Sequence, residues 1–142
     1  MAVKIIDHGG KEYRQMVELR YQILRRPLGL TFTQEELNEE KGNFHIACYD
    51  DDRLEGCCML VPIDNETIQL RQMAVISGLQ GKGVGRVIMQ FAENISRDRG
   101  YKKLIMHARK SAMGFYEKLG YKKVGDEFTE VTLPHYVMEK LL

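Results

Sequence analysis

The chain of 142 residues carries 21 lysines and arginines against 20 aspartates and glutamates, which gives a formal net charge of +1. A chain of this length most often forms one domain, predicted here to span residues 1–142. Near-neutral charge argues against a general nucleic-acid-binding protein, which usually has a strongly basic face, although a local basic groove stays open. The sequence contains no apolar stretch long enough for a membrane span and no apolar core typical of a secretory signal.

The three cysteines are an odd number without C-x-x-C spacing: Cys48, Cys57 and Cys58. Adjacent residues of a strand point to opposite faces, so Cys57 and Cys58 are poorly placed to form a disulfide with each other. We therefore predict buried free thiols, no metal site and a reducing, cytoplasmic setting.

The first third of the chain is predicted to hold one strand and two helices. Residues 3–7 form a short apolar strand, and residues 12–24 carry apolar side chains at helical spacing. The segment 25–29, which contains a proline and a glycine, ends that helix. Thr33 with Glu36 three residues later has the pattern of a capping box, which predicts a second short helix.

The middle of the chain has the pattern of an antiparallel meander. Residues 44–49, 54–61 and 67–76 are strand-like. Polar turns at residues 50–52 and 64–66 join them.

The last part predicts two helices and three strands. Residues 84–99 have an apolar face at positions i, i+3, i+4, i+7, i+8 and i+11, and Gly100 closes this helix. Residues 103–107 follow as a strand, and Ser111 is predicted to cap a helix that runs to Leu119 and ends at Gly120. Residues 121–131 and 135–141 are final strands. The order of elements predicts a mixed α/β sheet with one strand–helix–strand crossover.

The strand at residues 67–76 changes the phase of its apolar positions. Ile68 and Leu70 alternate with polar residues, and the apolar positions then shift to Met73 and Val75. A β-bulge produces such a shift, and so does a strand that becomes buried on both faces.

A glycine-rich segment, residues 80–86, lies between this strand and the amphipathic helix. Its glycines leave the backbone N–H groups at the start of the helix uncovered, as an anion-binding site requires. The segment lacks the Lys-Ser/Thr of a P-loop and the third glycine of a G-x-G-x-x-G dinucleotide loop. A pyrophosphate-binding loop and a simple tight turn are the two remaining interpretations.

Two motifs resemble signatures of the GNAT family of N-acetyltransferases. Gln80, Gly83 and Gly85 form the Gln-x-x-Gly-x-Gly pattern of the family's acyl-CoA pyrophosphate loop. Residues 112–121 read Ala-Met-Gly-Phe-Tyr-Glu-Lys-Leu-Gly-Tyr, close to the family signature A-x-x-F-Y-x-x-L-G-F/Y. The two motifs occur in the expected order and between the expected elements. The ending at residues 133–138 resembles small bacterial members similar to the ElaA group.

The resemblance implies a GNAT fold: a mixed, mostly antiparallel sheet of six to seven strands, splayed between strands 4 and 5 and flanked by about four helices. It implies acetyl-CoA as co-substrate and Tyr116 as the acid that protonates the departing thiolate. Backbone groups of the fourth strand are expected to hold pantetheine, and an N–H at or beside Val75 to hold the oxyanion. Lys82 and Arg86 would add charge or simply be solvated. The expected cofactor-binding residues are Met73, Ala74, Val75, Gln80, Gly81, Lys82, Gly83, Val84, Gly85 and Arg86.

The acceptor side is less defined by the sequence. Gln69 stands where many lysine-acetylating relatives have a glutamate base, so His135, and less so His107, is the candidate base. Arg25, with its neighbour Arg26, is a candidate for binding an anionic acceptor, and Glu127 and Glu130 are candidates for a cationic one. Arg109 replaces the family's usual Asn.

The predicted function is therefore acetyl transfer from acetyl-CoA to a primary amine of a small molecule or peptide. The alternative is a non-catalytic acyl-CoA-binding regulatory module. A homodimer through the C-terminal strands is an open expectation.

Overall fold

The computed structural model describes residues 1–142. One seven-stranded sheet carries four α-helices, two on each face, as the resemblance implied. The strands are β1 (Ala2–Ile6), β2 (Phe44–Asp50), β3 (Arg53–Pro62), β4 (Thr67–Val75), β5 (Lys103–Arg109), β6 (Lys122–Glu130) and β7 (Leu133–Leu141). The helices are α1 (Lys11–Arg20), α2 (Gln34–Asn38), α3 (Val84–Asp98) and α4 (Met113–Lys118). No helix in the chain combines the length and the apolar character needed to cross a membrane.

The sheet opens between β4 and β5. Strand order is β1-β2-β3-β4-β5-β7-β6, and every neighbouring pair is antiparallel except β4 and β5. That parallel pair covers only residues 67–70 of β4 and 103–106 of β5, although β4 continues to Val75. The later half of β4 is therefore paired along one edge only, which confirms the predicted splay.

The phase change in β4 is a β-bulge. Met59 of β3 lies opposite Arg71, and Cys57 lies opposite Ala74, so two steps on β3 match three on β4. The extra residue of β4 is accommodated at Gln72, whose φ of 57° lies in the left-handed region. A bulge, and not burial of an unbroken strand on both faces, accounts for the shifted apolar pattern.

Two hydrophobic cores lie on opposite faces of the sheet. The larger core packs α3 and α4, and the smaller packs α1. Cys58 belongs to the larger core and Cys57 to the smaller, and both thiols are free and fully buried, as is that of Cys48. The prediction of buried free cysteines is confirmed.

The helix predicted for residues 12–24 is shorter than expected. α1 ends at Arg20, a π-helical turn covers Tyr21–Arg25, and a 3₁₀ turn covers Arg26–Leu28. Pro27 has no backbone N–H and so cannot donate an α-helical hydrogen bond to the Ile23 carbonyl, which prevents a regular α-helix from continuing through this segment. The irregular turns carry Leu24 and Arg25 beneath the open part of the sheet.

Of the two predicted helix caps, one is confirmed and one is wrong. Thr33 and Glu36 form the capping box of α2, with the Glu36 N–H donating to Thr33 Oγ1 at 3.1 Å. Ser111 caps nothing, because it lies inside a 3₁₀ turn over Lys110–Ala112, and α4 begins only at Met113.

Candidate functional site

A cleft of about 1230 Å³ occupies the opening between β4 and β5. The glycine-rich segment lies at one end, and the turns after α1 lie at the other. Residues from both faces of the sheet line it, so a molecule in the cleft can contact groups on either side. This is where the sequence predicts a cofactor site.

The glycine-rich segment presents unused hydrogen-bond donors to the cleft. Gly81 and Gly83 have φ values of 81° and 92°, which only glycine adopts without strain. Gly83 precedes α3 without any side-chain cap. Backbone N–H groups here donate to no atom of the protein. They belong to Gly81, Gly83, Val84, Gly85 and Arg86.

We call the free N–H groups of residue 81 and residues 83–86 the anion cradle. Packing at the start of α3 holds this anion cradle in place. Val84 and Ile88 are buried in the larger core, so Val84 offers only its backbone to the loop. A Cβ on Gly85 would lie 3.1 Å from the Phe115 ring, so glycine permits this close approach of α3 to α4. The exposed cations Lys82 and Arg86 form no ion pair, and of the two only Arg86 lines the cleft.

The end of β4 faces the cleft with its backbone. Ile76 donates its N–H to Glu55 of β3, so the preceding Val75 directs its own N–H and C=O away from β3. The Val75 carbonyl accepts a hydrogen bond from Gln80 Nε2 at 3.2 Å. Met73, Ala74 and Val75 all line the cleft. The side chain of Gln80, predicted to contact pyrophosphate, is thus engaged by the strand.

Tyr116 lies at the centre of the cleft wall and is only 6% exposed. Its hydroxyl makes no hydrogen bond within the protein, while its ring packs edge-on against Phe115 and Tyr121. Burial raises the pKa of the phenol, and proximity to Cys58 adds to the effect. A phenol with a raised pKa keeps its proton, which suits a proton donor.

His135 also lines the cleft, and Glu130 lies beside it. His135 Nδ1 is 2.9 Å from the Leu133 carbonyl, which requires the proton on Nδ1 and leaves Nε2 free in the neutral ring. Nε2 is 3.8 Å from Glu130 Oε2, and the other oxygen of Glu130 is 2.9 Å from His107 Nδ1. Sequence reasoning offered Glu130 only as a carboxylate for a cationic acceptor. Its place beside the two histidines could not be predicted, because it depends on the tight turn between β6 and β7.

The two predicted acceptor-binding residues differ in position. Arg25 lines the cleft, where its guanidinium donates to the Thr31 carbonyl at 2.7 Å and to Glu36 at 3.3 Å. Glu127 does not line the cleft, and its exposed carboxylate pairs with Lys110 at 3.0 Å. The structure therefore brings only Arg25 to the site.

A buried ion pair that sequence reasoning missed lies at the end of the cleft near the turns after α1. Arg20 is fully buried and forms two hydrogen bonds, of 2.8 and 2.7 Å, to the carboxylate of Glu40, which lines the cleft. Tyr13 donates a third hydrogen bond to Glu40 at 2.7 Å. The partners come from elements distant in sequence, and no local motif marks them.

Comparison with known proteins identifies the fold and the family. Residues 26–142 match the family model of the acetyltransferase (GNAT) domain. The chain belongs to this family. A Bacillus subtilis protein named as a candidate acetyltransferase is 32% identical over 96 residues, which is 68% of this chain and 65% of that protein. The aligned segment thus spans just under two-thirds of that relative.

Solved structures show the same fold over the whole chain. Escherichia coli ElaA superimposes with a TM-score of 0.82 at 18% identity and covers 99% of both chains. A GNAT family acetyltransferase from Elizabethkingia anophelis, solved with acetyl-CoA bound, has a TM-score of 0.76 at 17% identity, covering 99% of this chain and 97% of that one. At these identities the likeness concerns the fold alone.

Proposed function

We propose that this protein is an N-acetyltransferase that transfers the acetyl group of acetyl-CoA to a primary amine of a small molecule or peptide. The observation that carries the proposal is the alignment of three features along one cleft: the uncovered N–H groups before α3, the free edge of β4 and the unpartnered phenol of Tyr116. The solved relative with acetyl-CoA bound supports the same ligand.

The cofactor would bind along the cleft in two parts. Its pyrophosphate meets the free N–H groups of residue 81 and residues 83–86 at the start of α3, where the helix dipole favours negative charge. Arg86 lines the cleft and adds a positive charge at this end. The pantetheine arm, which carries amide groups, lies along the free edge of β4 at Met73–Val75 like an added strand.

The chemistry then needs few protein groups. The neutral amine attacks the thioester carbon, a C–N bond forms, and the collapse of the intermediate breaks the C–S bond. The Val75 N–H is directed into the cleft and stabilises the oxyanion, while Tyr116 protonates the departing thiolate. The Nε2 of His135 accepts the proton that the amine loses. Attack is direct, and no acyl-enzyme intermediate is involved.

Calorimetry with acetyl-CoA and with ATP tests the ligand. We expect binding of acetyl-CoA and none of ATP, because the loop lacks the Lys-Ser/Thr of a triphosphate site. A protein that fails to bind acetyl-CoA would contradict the proposal.

CoA release across a panel of primary amines tests turnover. Tyr116→Phe should lower kcat by about 100- to 10,000-fold while acetyl-CoA affinity stays the same, since the hydroxyl acts only as the thiolate leaves. Tyr101→Phe is the matched control, because Tyr101 precedes β5 at the end away from the cleft. Binding of acetyl-CoA without turnover of any amine would instead favour a regulatory module.

A further inference from the structure

The acceptor side of the cleft can be assigned to one face of the sheet. On β5, Leu104, Met106 and Ala108 point into the larger core with α3 and α4. The alternate residues His107 and Arg109 therefore point to the opposite face, beneath the turns that follow α1. An amine that approaches the thioester from this face passes Arg109.

Arg109 is a partly buried cation without an anionic partner. Its Nη2 donates to the Leu24 carbonyl at 3.0 Å, and it forms no ion pair with any carboxylate in the chain. A guanidinium has five N–H donors, so most of its donors are left for another acceptor. Burial lowers the pKa of Arg109, and the nearby charge of Arg25 lowers it further.

Arg25 places a second guanidinium next to the first. It directly follows Leu24, the residue that Arg109 holds, and it stacks on the Phe32 ring with its charge centre 4.1 Å from the ring centroid. Its one carboxylate contact, Glu36 at 3.3 Å, is shared with the capping box of α2. Two neighbouring guanidinium groups thus line the cleft with a single carboxylate, that of Glu36, in contact with either of them.

Apart from Glu36, the carboxylates that line the cleft do not contact this pair of arginines. Glu40 is bound by Arg20, and Glu130 by His107. Glu39 is the remaining lining carboxylate, and it contacts neither Arg25 nor Arg109. Like charges held close together in a partly buried site are unfavourable unless an anion joins them.

We propose that Arg109 and Arg25 bind a carboxylate carried by the acceptor, so that the substrate is a primary amine with its own carboxylate, such as a free amino acid. This inference rests on the proposed acetyl transfer. Arginine side chains match a carboxylate with two parallel hydrogen bonds, and such charge-assisted bonds position the group as well as hold it.

Matched acceptor pairs test the inference: each amino acid is compared with its carboxamide, which keeps the amine and side chain but carries no negative charge. We expect kcat/KM to be about 10- to 100-fold higher for the acid, the effect of one or two hydrogen bonds to a charged group. The amine of the amide is less basic and more often neutral, so a preference for the acid would not come from amine reactivity.

Variants of Arg109 distinguish a role in binding the acceptor carboxylate from a purely structural role. Arg109→Gln should raise KM for the acid about 10-fold or more and leave KM for the amide unchanged, while Arg109→Lys keeps part of the preference. Arg26→Gln is the control, because Arg26 directly follows Arg25 but hydrogen-bonds Gln22 and does not line the cleft. If Arg109 only tethers the turn at Leu24, Arg109→Gln will lower the thermal midpoint and raise both KM values equally, which would overturn the proposal.

A binding measurement covers the case in which no tested acid is acetylated. With CoA present, N-acetyl amino acids should bind the wild-type protein more tightly than their amides, and Arg109→Gln should abolish the difference. Equal binding, or preference for the amide, would overturn the carboxylate site even if other amines are acetylated. Failure to bind acetyl-CoA contradicts the proposed function itself, and is a different result.

Discussion

Gln80 donates its side-chain amide to the carbonyl of Val75 at 3.2 Å, which joins the start of the glycine-rich segment to the end of β4. The strand edge and the anion cradle are thereby held in one fixed relationship. A ligand that spans both finds them already aligned, and less conformational entropy is lost on binding.

Gln80→Ala should therefore weaken acetyl-CoA binding by about 2- to 10-fold, the net value of one neutral hydrogen bond. Gln90→Ala is a matched control, because Gln90 is exposed on α3 and does not line the cleft. Calorimetry on the two variants measures the difference. Unchanged affinity in Gln80→Ala would mean that the contact does not align the site.

The buried pair of Arg20 and Glu40 gives a prediction for stability. Glu40→Gln or Arg20→Met should each lower the free energy of unfolding by about 3–5 kcal/mol, because each leaves a buried partner uncompensated. The double variant should be destabilised by less than the sum of the two, since it leaves no unpaired charge. Urea denaturation measures all four proteins, and additive effects would show that the pair is not coupled.

The same pair predicts an acid limit to stability. Burial alone would raise the pKa of Glu40, but the hydrogen bonds and charge of Arg20 outweigh it and lower the pKa below its ordinary value of 4.5. The pair therefore contributes its full stability above about pH 4.5, and loses it as the pH falls through the lowered pKa. The stability difference between wild type and Glu40→Gln should shrink over that range, as denaturation at successive pH values would measure.

Gly56 marks the closest approach of β3 to α3. A Cβ there would lie 2.7 Å from Ile88 Cδ1 and 3.0 Å from Val84 Cγ1, within the distances that packed side chains tolerate only by shifting. Gly56→Ala should cost about 1–3 kcal/mol of stability. Adding Ile88→Val removes the nearest methyl group and should recover part of the loss; no recovery would point to the Ala74 carbonyl, 3.2 Å away, as the obstacle.

The cysteines should be unreactive in the folded protein. Burial raises the pKa of Cys57 to about 12, and burial also raises the pKa of Cys58 and of Cys48, so almost no thiolate is present at pH 8. A thiol reagent should label none of them natively and all three in denaturant. Asp52→Cys, at an exposed turn, supplies the reactive control. Native labelling of the wild type would contradict the burial.

The parts of the fold set by local patterns could be predicted from the sequence. The apolar face of α3 fixed its length to within one residue. The phase change between Leu70 and Met73 narrowed the end of β4 to two interpretations, of which the structure shows the bulge. Ser111 was assigned a cap because its residue type suits one, but residues 110–112 form a 3₁₀ turn and shift the start of α4.

The residues of the acceptor side could not be predicted in the same way, because they are far apart in the sequence and come together only in the folded chain. Glu127 carries a suitable charge, yet an irregular β6–β7 register between Val124 and Phe128 accompanies its pairing with Lys110 outside the cleft. Glu130, three residues later, reaches two histidines. The position of the Arg109 guanidinium beside Leu24, without a carboxylate partner, is likewise set by residues distant in sequence.

Cys57 and Cys58 are adjacent in β3 but belong to different hydrophobic cores, and the two cores support different ends of the cleft. The larger core anchors α3 and with it the anion cradle, whereas the smaller core packs against Ile23 and Leu24 at the acceptor end. Substitutions in the smaller core can reshape the acceptor wall without disturbing the cradle. Under the proposed function, selection on the acceptor would act on the smaller core, and selection on the acyl donor would act on the larger one.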